Sequence, residues 1–157
     1  MSDDLLPLLN KAYFFLKFRP RSEKEVRDYL YKKISTTHWS RDAADKVIDK
    51  LKKQGLINDA EFTDWFVRYR NNLKPKSKKI LTYELRKKGI NEDLIEKYFQ
   101  KNDFDEFQLA QKIIQQKSFR FKNTDPKTRY QKLVSLLIRR GFSYEVAKSV
   151  YNKMFGV

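Results

Sequence analysis

The chain has 157 residues, of which 40% are hydrophobic and 35% are charged. This length fits one ordinary globular domain, and this balance suits thin helical layers better than one thick core. The absence of cysteine excludes disulfides, thiol catalysis and thiolate metal sites. The formal net charge of +15 predicts a polyanionic partner, such as nucleic acid, a nucleoprotein or an acidic protein face.

Helix signals divide the first third of the chain into three helices. An apolar stripe over residues 5–16 predicts a first helix that ends before Pro20. Residues 22–25, Ser-Glu-Lys-Glu, form a capping box that opens a second helix. Ser40 caps a third helix, and Gly55 ends it because glycine adopts the left-handed conformation without strain.

The second group of helices follows the same plan. Residues 58–61, Asn-Asp-Ala-Glu, are another capping-box pattern. The aromatic residues after it have the spacing of a buried helical face: Phe62, Trp65, Phe66 and Tyr69. A middle helix is predicted over residues 77–88 with Gly89 at its end, and a third helix over residues 91–99.

The third group repeats this plan once more. It begins at residues 103–106, Asp-Phe-Asp-Glu. Its middle helix opens at Asp125 and Pro126, since proline is favoured at the first helical position, where no N–H is needed. Gly141 closes this helix, and Ser143 starts the last one.

A repeated step relates these groups. Residues 85–90, Leu-Arg-Lys-Lys-Gly-Ile, recur fifty-two positions later as residues 137–142, Leu-Ile-Arg-Arg-Gly-Phe. Such a repeat is typical of stacked helical units, which offer a surface rather than a catalytic pocket. The sequence therefore predicts an all-α fold of three tandem three-helix units: residues 1–55, which match the repeat least well, 56–101 and 102–157.

Aromatic residues at helical spacing are predicted to pack in the core rather than to stack on bases. This set comprises Tyr13, Phe14, Phe15, Phe18, Phe62, Trp65 and Phe66. Trp39 and residues 119–121, Phe-Arg-Phe, are less periodic and lie near basic residues, so both roles stay open for them.

Basic residues are concentrated in two clusters, which we call the predicted basic face. Each cluster covers the end of a unit's first helix, the loop after it and the middle helix. The first cluster spans residues 68–88, where Glu84 is the only acidic residue. It contains Arg68, Arg70, Lys74, Lys76, Lys78, Lys79, Arg86, Lys87 and Lys88. The second cluster, against only Asp125, contains Lys112, Lys117, Arg120, Lys122, Lys127, Arg129, Lys132, Arg139 and Arg140.

Stacked units would join these clusters into a continuous track that neutralises phosphates. Such binding depends strongly on salt and is indifferent to sequence. The alternative is a solvated face that keeps a helical protein soluble. A helix-turn-helix reader would need a third helix that approaches base edges, but the third helix of the second unit opens with Glu92 and Asp93, which phosphates repel.

Catalysis and membrane insertion find little support in the sequence. His38 is the only histidine, and neither a glycine-rich phosphate loop nor metal-ligand spacing occurs. We therefore predict no catalytic residue, cofactor or metal. The first four residues, Met-Ser-Asp-Asp, lack the basic region of a secretion signal, and no apolar run approaches the roughly 20 residues of a membrane span. We expect a cytoplasmic protein without a membrane partner.

Three segments, in the right order, resemble a known family. Residues 19–26, Arg-Pro-Arg-Ser-Glu-Lys-Glu-Val, resemble a signature of the bacterial RecX proteins. Residues 55–62, Gly-Leu-Ile-Asn-Asp-Ala-Glu-Phe, resemble a second segment of that family, and residues 85–90 its Leu-x-x-Lys-Gly-Ile step. The resemblance runs from about residue 9 to residue 150.

The resemblance implies RecX-like helical repeats that form an elongated, curved array. It also implies a regulator of the RecA recombinase, which binds RecA and its filament on single-stranded DNA and inhibits filament growth, ATPase and strand exchange. Such a protein modulates recombination, DNA repair and the SOS response. The expected partners of the basic face are RecA, its nucleoprotein filament and single-stranded DNA, with double-stranded DNA as a further candidate, and we expect a monomer. The alternative is a stand-alone, sequence-independent DNA-binding protein that acts without RecA.

Overall fold

A computed structural model describes residues 3–156 and shows an all-helical chain. Within these residues there is no strand, and the α-helices in chain order are α1 (Leu6–Lys17), α2 (Glu23–Ile34), α3 (Arg41–Lys53), α4 (Asp59–Leu73), α5 (Lys78–Lys87), α6 (Glu92–Lys101), α7 (Glu106–Lys117), α8 (Pro126–Arg139) and α9 (Tyr144–Phe155). The outermost residues of the predicted first and last units, Met1, Ser2 and Val157, lie outside the described residues. The predicted all-α fold is confirmed.

Helix boundaries follow the predicted caps. At the start of α2, the Ser22 Oγ accepts the Glu25 N–H at 3.2 Å, and a Glu25 carboxylate oxygen accepts the Ser22 N–H at 3.0 Å. Ser40, Asp125 and Ser143 cap α3, α8 and α9 through the same kind of bond. Two short 3₁₀ helices, Asp3–Leu5 and Ser118–Phe121, were not predicted.

The chain forms two compact units. The first comprises the chain up to Phe66 together with Leu85–Tyr98, and the second comprises Val67–Glu84 together with the chain from Phe99 onward. The core of the first unit joins Leu8, Leu9, Ala12, Val26, Leu30, Ile34, Ala44, Val47, Ile48, Leu51 and Ile57. The core of the second joins Ala110, Ile113, Ile114, Leu133, Val134, Leu137, Phe142, Ala147, Val150 and Tyr151. The division at residues 1–55, 56–101 and 102–157 stays a prediction about the repeat, because repetition and compactness are different criteria.

The prediction of core packing is wrong for some of the aromatic residues. Phe14 is 60% exposed and Phe18 is 66% exposed. Their rings meet edge to face with centroids 5.1 Å apart, on a face of α1 turned away from its buried Leu8 and Ala12. Tyr69 is also exposed. Apolar residues occupy more of the helix circumference than the core covers, so spacing alone does not select the buried ones.

The remaining aromatic predictions hold to different degrees. Phe62 and Phe66 are buried in α4, as predicted, and their rings lie 5.7 Å apart. Trp65, Tyr13 and Phe15 are half-buried. Trp39 is one of the residues for which both core packing and base stacking stayed open. It is half-buried against the first core, and its indole N–H donates to the Asp4 carbonyl.

Candidate nucleic-acid interface

A groove of about 570 Å³ in the second compact unit collects a third of the predicted basic face. We call it the basic groove, and its lining is Lys74, Lys117, Arg120, Phe121, Gln131, Lys132, Ser135, Leu136, Arg139 and Arg140. One wall is a single face of α8, because five of these residues follow one another at helical spacing from 131 to 139. The opposite wall is the end of α7 and the 3₁₀ helix Ser118–Phe121.

The groove is positively charged throughout. No acidic side chain lines it among the described residues. Lys74, Arg120, Lys132 and Arg139 are exposed, so their charges face solvent. Since none of the described residues that line the groove carries a carboxylate, a polyanion could neutralise these charges and displace mobile counterions.

Arg140 is one of the cations that line the groove. Its Nη1 donates to the Pro75 carbonyl at 3.3 Å, and the side chain is half-buried. Burial lowers the pKa of Arg140, and the neighbouring charge of Arg139 lowers it further. The guanidinium nevertheless stays protonated at neutral pH, so it adds a fixed positive charge to the groove.

Two apolar side chains also line the groove. Phe121 and Leu136 are half-buried and pack against the second core. The Lys132 ammonium lies 5.8 Å from the centroid of the Phe121 ring. The groove therefore combines cations with a half-buried aromatic and a half-buried aliphatic side chain.

Several residues of the first basic cluster are paired with carboxylates. The Arg70 guanidinium donates to Glu84, with Nε and Oε2 2.8 Å apart, and this bond raises the pKa of Arg70. Arg86 pairs with Glu92, which likewise raises the pKa of Arg86. The Lys88 ammonium donates to Glu25 at 2.9 Å. These pairs reduce the net positive charge that the cluster offers to a phosphate.

The other predicted residues are distributed over the surface. Exposed side chains away from the groove are Arg68, Lys78, Lys79, Lys87, Lys112, Lys122 and Lys127, and Lys76 is half-buried. Lys78 lies over the Phe99 ring at 5.2 Å. Arg129 is half-buried and donates from Nε to the Tyr151 hydroxyl at 3.0 Å. The continuous basic track across the units stays a prediction.

The uncharged residues of the groove were not predicted from the sequence. Gln131, Ser135 and Leu136 share the α8 face of Lys132 and Arg139. The signal that could have found them is this helical spacing, which places residues three and four positions apart on one side of a helix. Phe121, for which both core packing and base stacking stayed open, lines the groove.

The described residues contain no group of three or more His, Cys, Asp or Glu side chains that could hold a metal ion. None of the helices in the described part of the chain is both long enough and apolar enough to cross a membrane.

Family models and relatives identify the chain. Models described as the first, second and third three-helix domains of RecX match residues 9–51, 58–98 and 104–151. Regulatory protein RecX of Streptococcus uberis is 32% identical over 143 residues, which cover 90% of this chain and 53% of that protein. The chain thus spans about half the length of the curated relatives it matches.

Solved structures agree with this match. The crystal structure of RecX from Lactobacillus salivarius superposes with a TM-score of 0.77 over 100% of both chains, and its 24% identity shows the fold alone. A crystal structure of regulatory protein RecX is 26% identical, with a TM-score of 0.73, and the match covers 96% of this chain and 72% of that one. The chain belongs to the RecX family of regulatory proteins.

Proposed function

We propose that the chain is a non-catalytic regulator that binds the RecA recombinase and its filament on single-stranded DNA. It inhibits filament growth, ATPase and strand exchange, and in the cytoplasm it thereby modulates recombination, DNA repair and the SOS response. Membership of the RecX family supports this proposal. The observation that carries it is the basic groove, whose cations have no carboxylate among the described residues that line it.

The groove suits a nucleoprotein filament for electrostatic reasons. DNA phosphates in such a filament are closely spaced negative charges, and each cation that neutralises one releases a condensed counterion. This contribution carries no sequence information, which fits a regulator that must act wherever a filament forms. Contact with RecA would add the selectivity for coated strands.

RecA's DNA-dependent ATPase provides the first test. The rate is measured on saturating single-stranded DNA while the 157-residue chain is titrated in, at fixed salt. The proposal expects the ATPase rate and the yield of strand exchange to fall together as filaments shorten. An unchanged ATPase rate at saturating protein would overturn the proposal.

Stand-alone DNA binding is the second candidate function. The cations of the groove could bind DNA phosphates whether or not RecA is present. A pull-down with bare single-stranded DNA, RecA alone and the RecA–DNA filament separates the two functions. If the protein acts alone, bare and RecA-coated strands should retain equal amounts of it. If it regulates RecA, coated strands should retain more of it.

A further inference from the structure

We propose that the basic groove seats a base of a single DNA strand against Phe121 and Leu136, so that the protein prefers single strands to duplex. This inference rests on the DNA contact of the proposed function and specifies how that contact is made. It differs from a general basic surface, which would bind the two forms of DNA through phosphates alone.

The size of the groove favours such an occupant. Its volume of about 570 Å³ lies within the range of roughly 300–1,000 Å³ typical of pockets that enclose small molecules. It is therefore large enough for a nucleotide unit. In a duplex the bases are paired and stacked inside the helix, and bringing one out costs unpairing and unstacking free energy. A single strand offers its bases without most of this cost.

The chemistry of the groove matches both parts of a nucleotide. Phe121 and Leu136 supply the apolar surface, and aromatic side chains stack on any base because every base has a π face. Lys132, whose ammonium lies 5.8 Å from the Phe121 ring centroid, is placed to meet the phosphate next to a seated base. Arg139 follows on the same helix face, one more step along the groove wall.

Phe119 offers a built-in comparison. It is 62% exposed, two positions from Phe121, and the Arg120 guanidinium lies 5.8 Å from its ring centroid. Phe119 does not line the groove. If exposure of any aromatic ring near basic residues were enough for base binding, Phe119 would be the better candidate of the two.

The test measures the affinity of the 157-residue chain for three labelled ligands of equal length, at one fixed salt concentration, by fluorescence anisotropy. They are an oligothymidine, a base-free deoxyribose-phosphate chain and a duplex. The base seat expects the oligothymidine to bind about tenfold more tightly than the base-free chain, the order of magnitude of one stacked base. The duplex, per phosphate contacted, should resemble the base-free chain. Equal affinity for the oligothymidine and the base-free chain would overturn the inference, whatever any variant does.

Two matched variants locate the seat. Phe121→Leu keeps an apolar side chain against the core and removes the aromatic face, so the advantage of the oligothymidine should fall several-fold. Phe119→Leu, the same exchange outside the groove, should retain the full advantage. An advantage that persists in Phe121→Leu and disappears in Phe119→Leu contradicts the assignment to the groove.

The RecA ATPase is measured on the same proteins. A wild-type chain that inhibits RecA but binds the oligothymidine and the base-free chain equally has the proposed function without the base seat. A chain that shows the base preference but leaves the ATPase unchanged has the base seat without the proposed function. The two failures are therefore distinguishable.

Discussion

Ser22 links the start of one helix to the end of another. Its Oγ donates a hydrogen bond of 2.6 Å to the backbone carbonyl of Lys88, which directly follows α5. The same Oγ accepts the Glu25 N–H at the start of α2, and the side chain is fully buried. Because the last carbonyls of a helix have no partner within it, one hydroxyl satisfies a free donor of α2 and a free acceptor after α5.

Replacing Ser22 should destabilise the protein more than replacing an ordinary cap. In Ser22→Ala both hydrogen bonds are lost, and we expect the free energy of unfolding to fall by about 2–3 kcal/mol. Ser40→Ala is the matched control, since its Oγ caps α3 at an exposed position and its loss should cost about 1 kcal/mol. Urea unfolding of both variants gives the comparison. Equal losses would show that the bond to Lys88 contributes nothing.

A related contact involves the second copy of the repeated step, residues 137–142. The Ser77 N–H donates to the Arg140 carbonyl at 3.0 Å, and Gly141 follows with φ at +91°. A Cβ at Gly141 would lie 2.5 Å from Ile80 Cγ1 and would also overlap the Ser77 hydroxyl. Glycine is thus required here both by its left-handed conformation and by the close approach of the other chain segment.

Alanine should therefore be tolerated differently at two left-handed glycines. Gly55 has φ at +74° and nothing within 4 Å of an added Cβ, so Gly55→Ala should cost only the conformational strain, about 1 kcal/mol. Gly141→Ala adds overlap in a packed region, typically a further 1–3 kcal/mol. Thermal and urea unfolding measure both costs, and similar values for the two variants would contradict the close approach at Gly141.

Acid should remove stability that depends on Glu25. Burial would raise the pKa of this carboxyl, but hydrogen bonds from Arg19, Lys88 and the Ser22 N–H outweigh it and lower the pKa from 4.5 to about 2. A lowered folded-state pKa stabilises the fold above the unfolded-state value, and this stabilisation is lost as pH falls from about 4.5 towards 2. We expect a loss on the order of 3 kcal/mol across this window.

The variant Glu25→Gln should lack this part of the pH dependence. We expect it to be less stable than the wild type at neutral pH, and its free energy of unfolding should change less between pH 4.5 and 2. Glu145→Gln, at an exposed position of α9, controls for the change in net charge. Parallel stability curves for Glu25→Gln and the wild type would show that Glu25 is not the titrating group.

Local signals predicted most of the fold. Helix ends are marked by the backbone and side-chain chemistry of single residues, such as Ser22, Asp125 and Gly141. Their roles could therefore be predicted without the tertiary structure. The exposure of Phe14 could not be predicted, because helical spacing assigns a residue to a helix face but does not determine what packs against that face. The bond from Ser22 to Lys88 joins residues sixty-six positions apart, a distance at which no local pattern in one sequence operates.

The candidate interface was predicted less completely. The sequence indicated where basic residues are concentrated. Whether a neighbouring carboxylate offsets the positive charge of a given residue depends on the tertiary structure. Arg139 lines the groove without a carboxylate among its described neighbours, whereas Arg86 is paired with Glu92 across the turn at Gly89. Counting charges along the chain treats these two arginines alike.

Removing two groove charges should weaken DNA binding and its salt dependence. For Lys132→Gln with Arg139→Gln, we expect the slope of log affinity against log salt to fall by about 0.7 for each cation that contacts a single strand. Lys101→Gln with Lys148→Gln is the matched control, because it removes the same charge from exposed positions outside the groove. Titrations of an oligothymidine at several salt concentrations measure the slopes. Identical slopes in the two double variants would mean that net charge alone matters.

Freeing Arg86 should strengthen DNA binding if this arginine belongs to the interface. The Arg86–Glu92 pair is exposed, with side-chain exposures of 56% and 55%, so the pair contributes little to stability. Glu92→Gln removes the partner and leaves the guanidinium available for a phosphate, and Glu145→Gln on α9 makes the same change in net charge at a site without an ion pair among those of the described residues. We expect Glu92→Gln to raise the affinity for an oligothymidine several-fold more than Glu145→Gln does, because an arginine can bind a phosphate through two parallel hydrogen bonds. Equal gains would place Arg86 outside the interface and leave the basic groove as its main part.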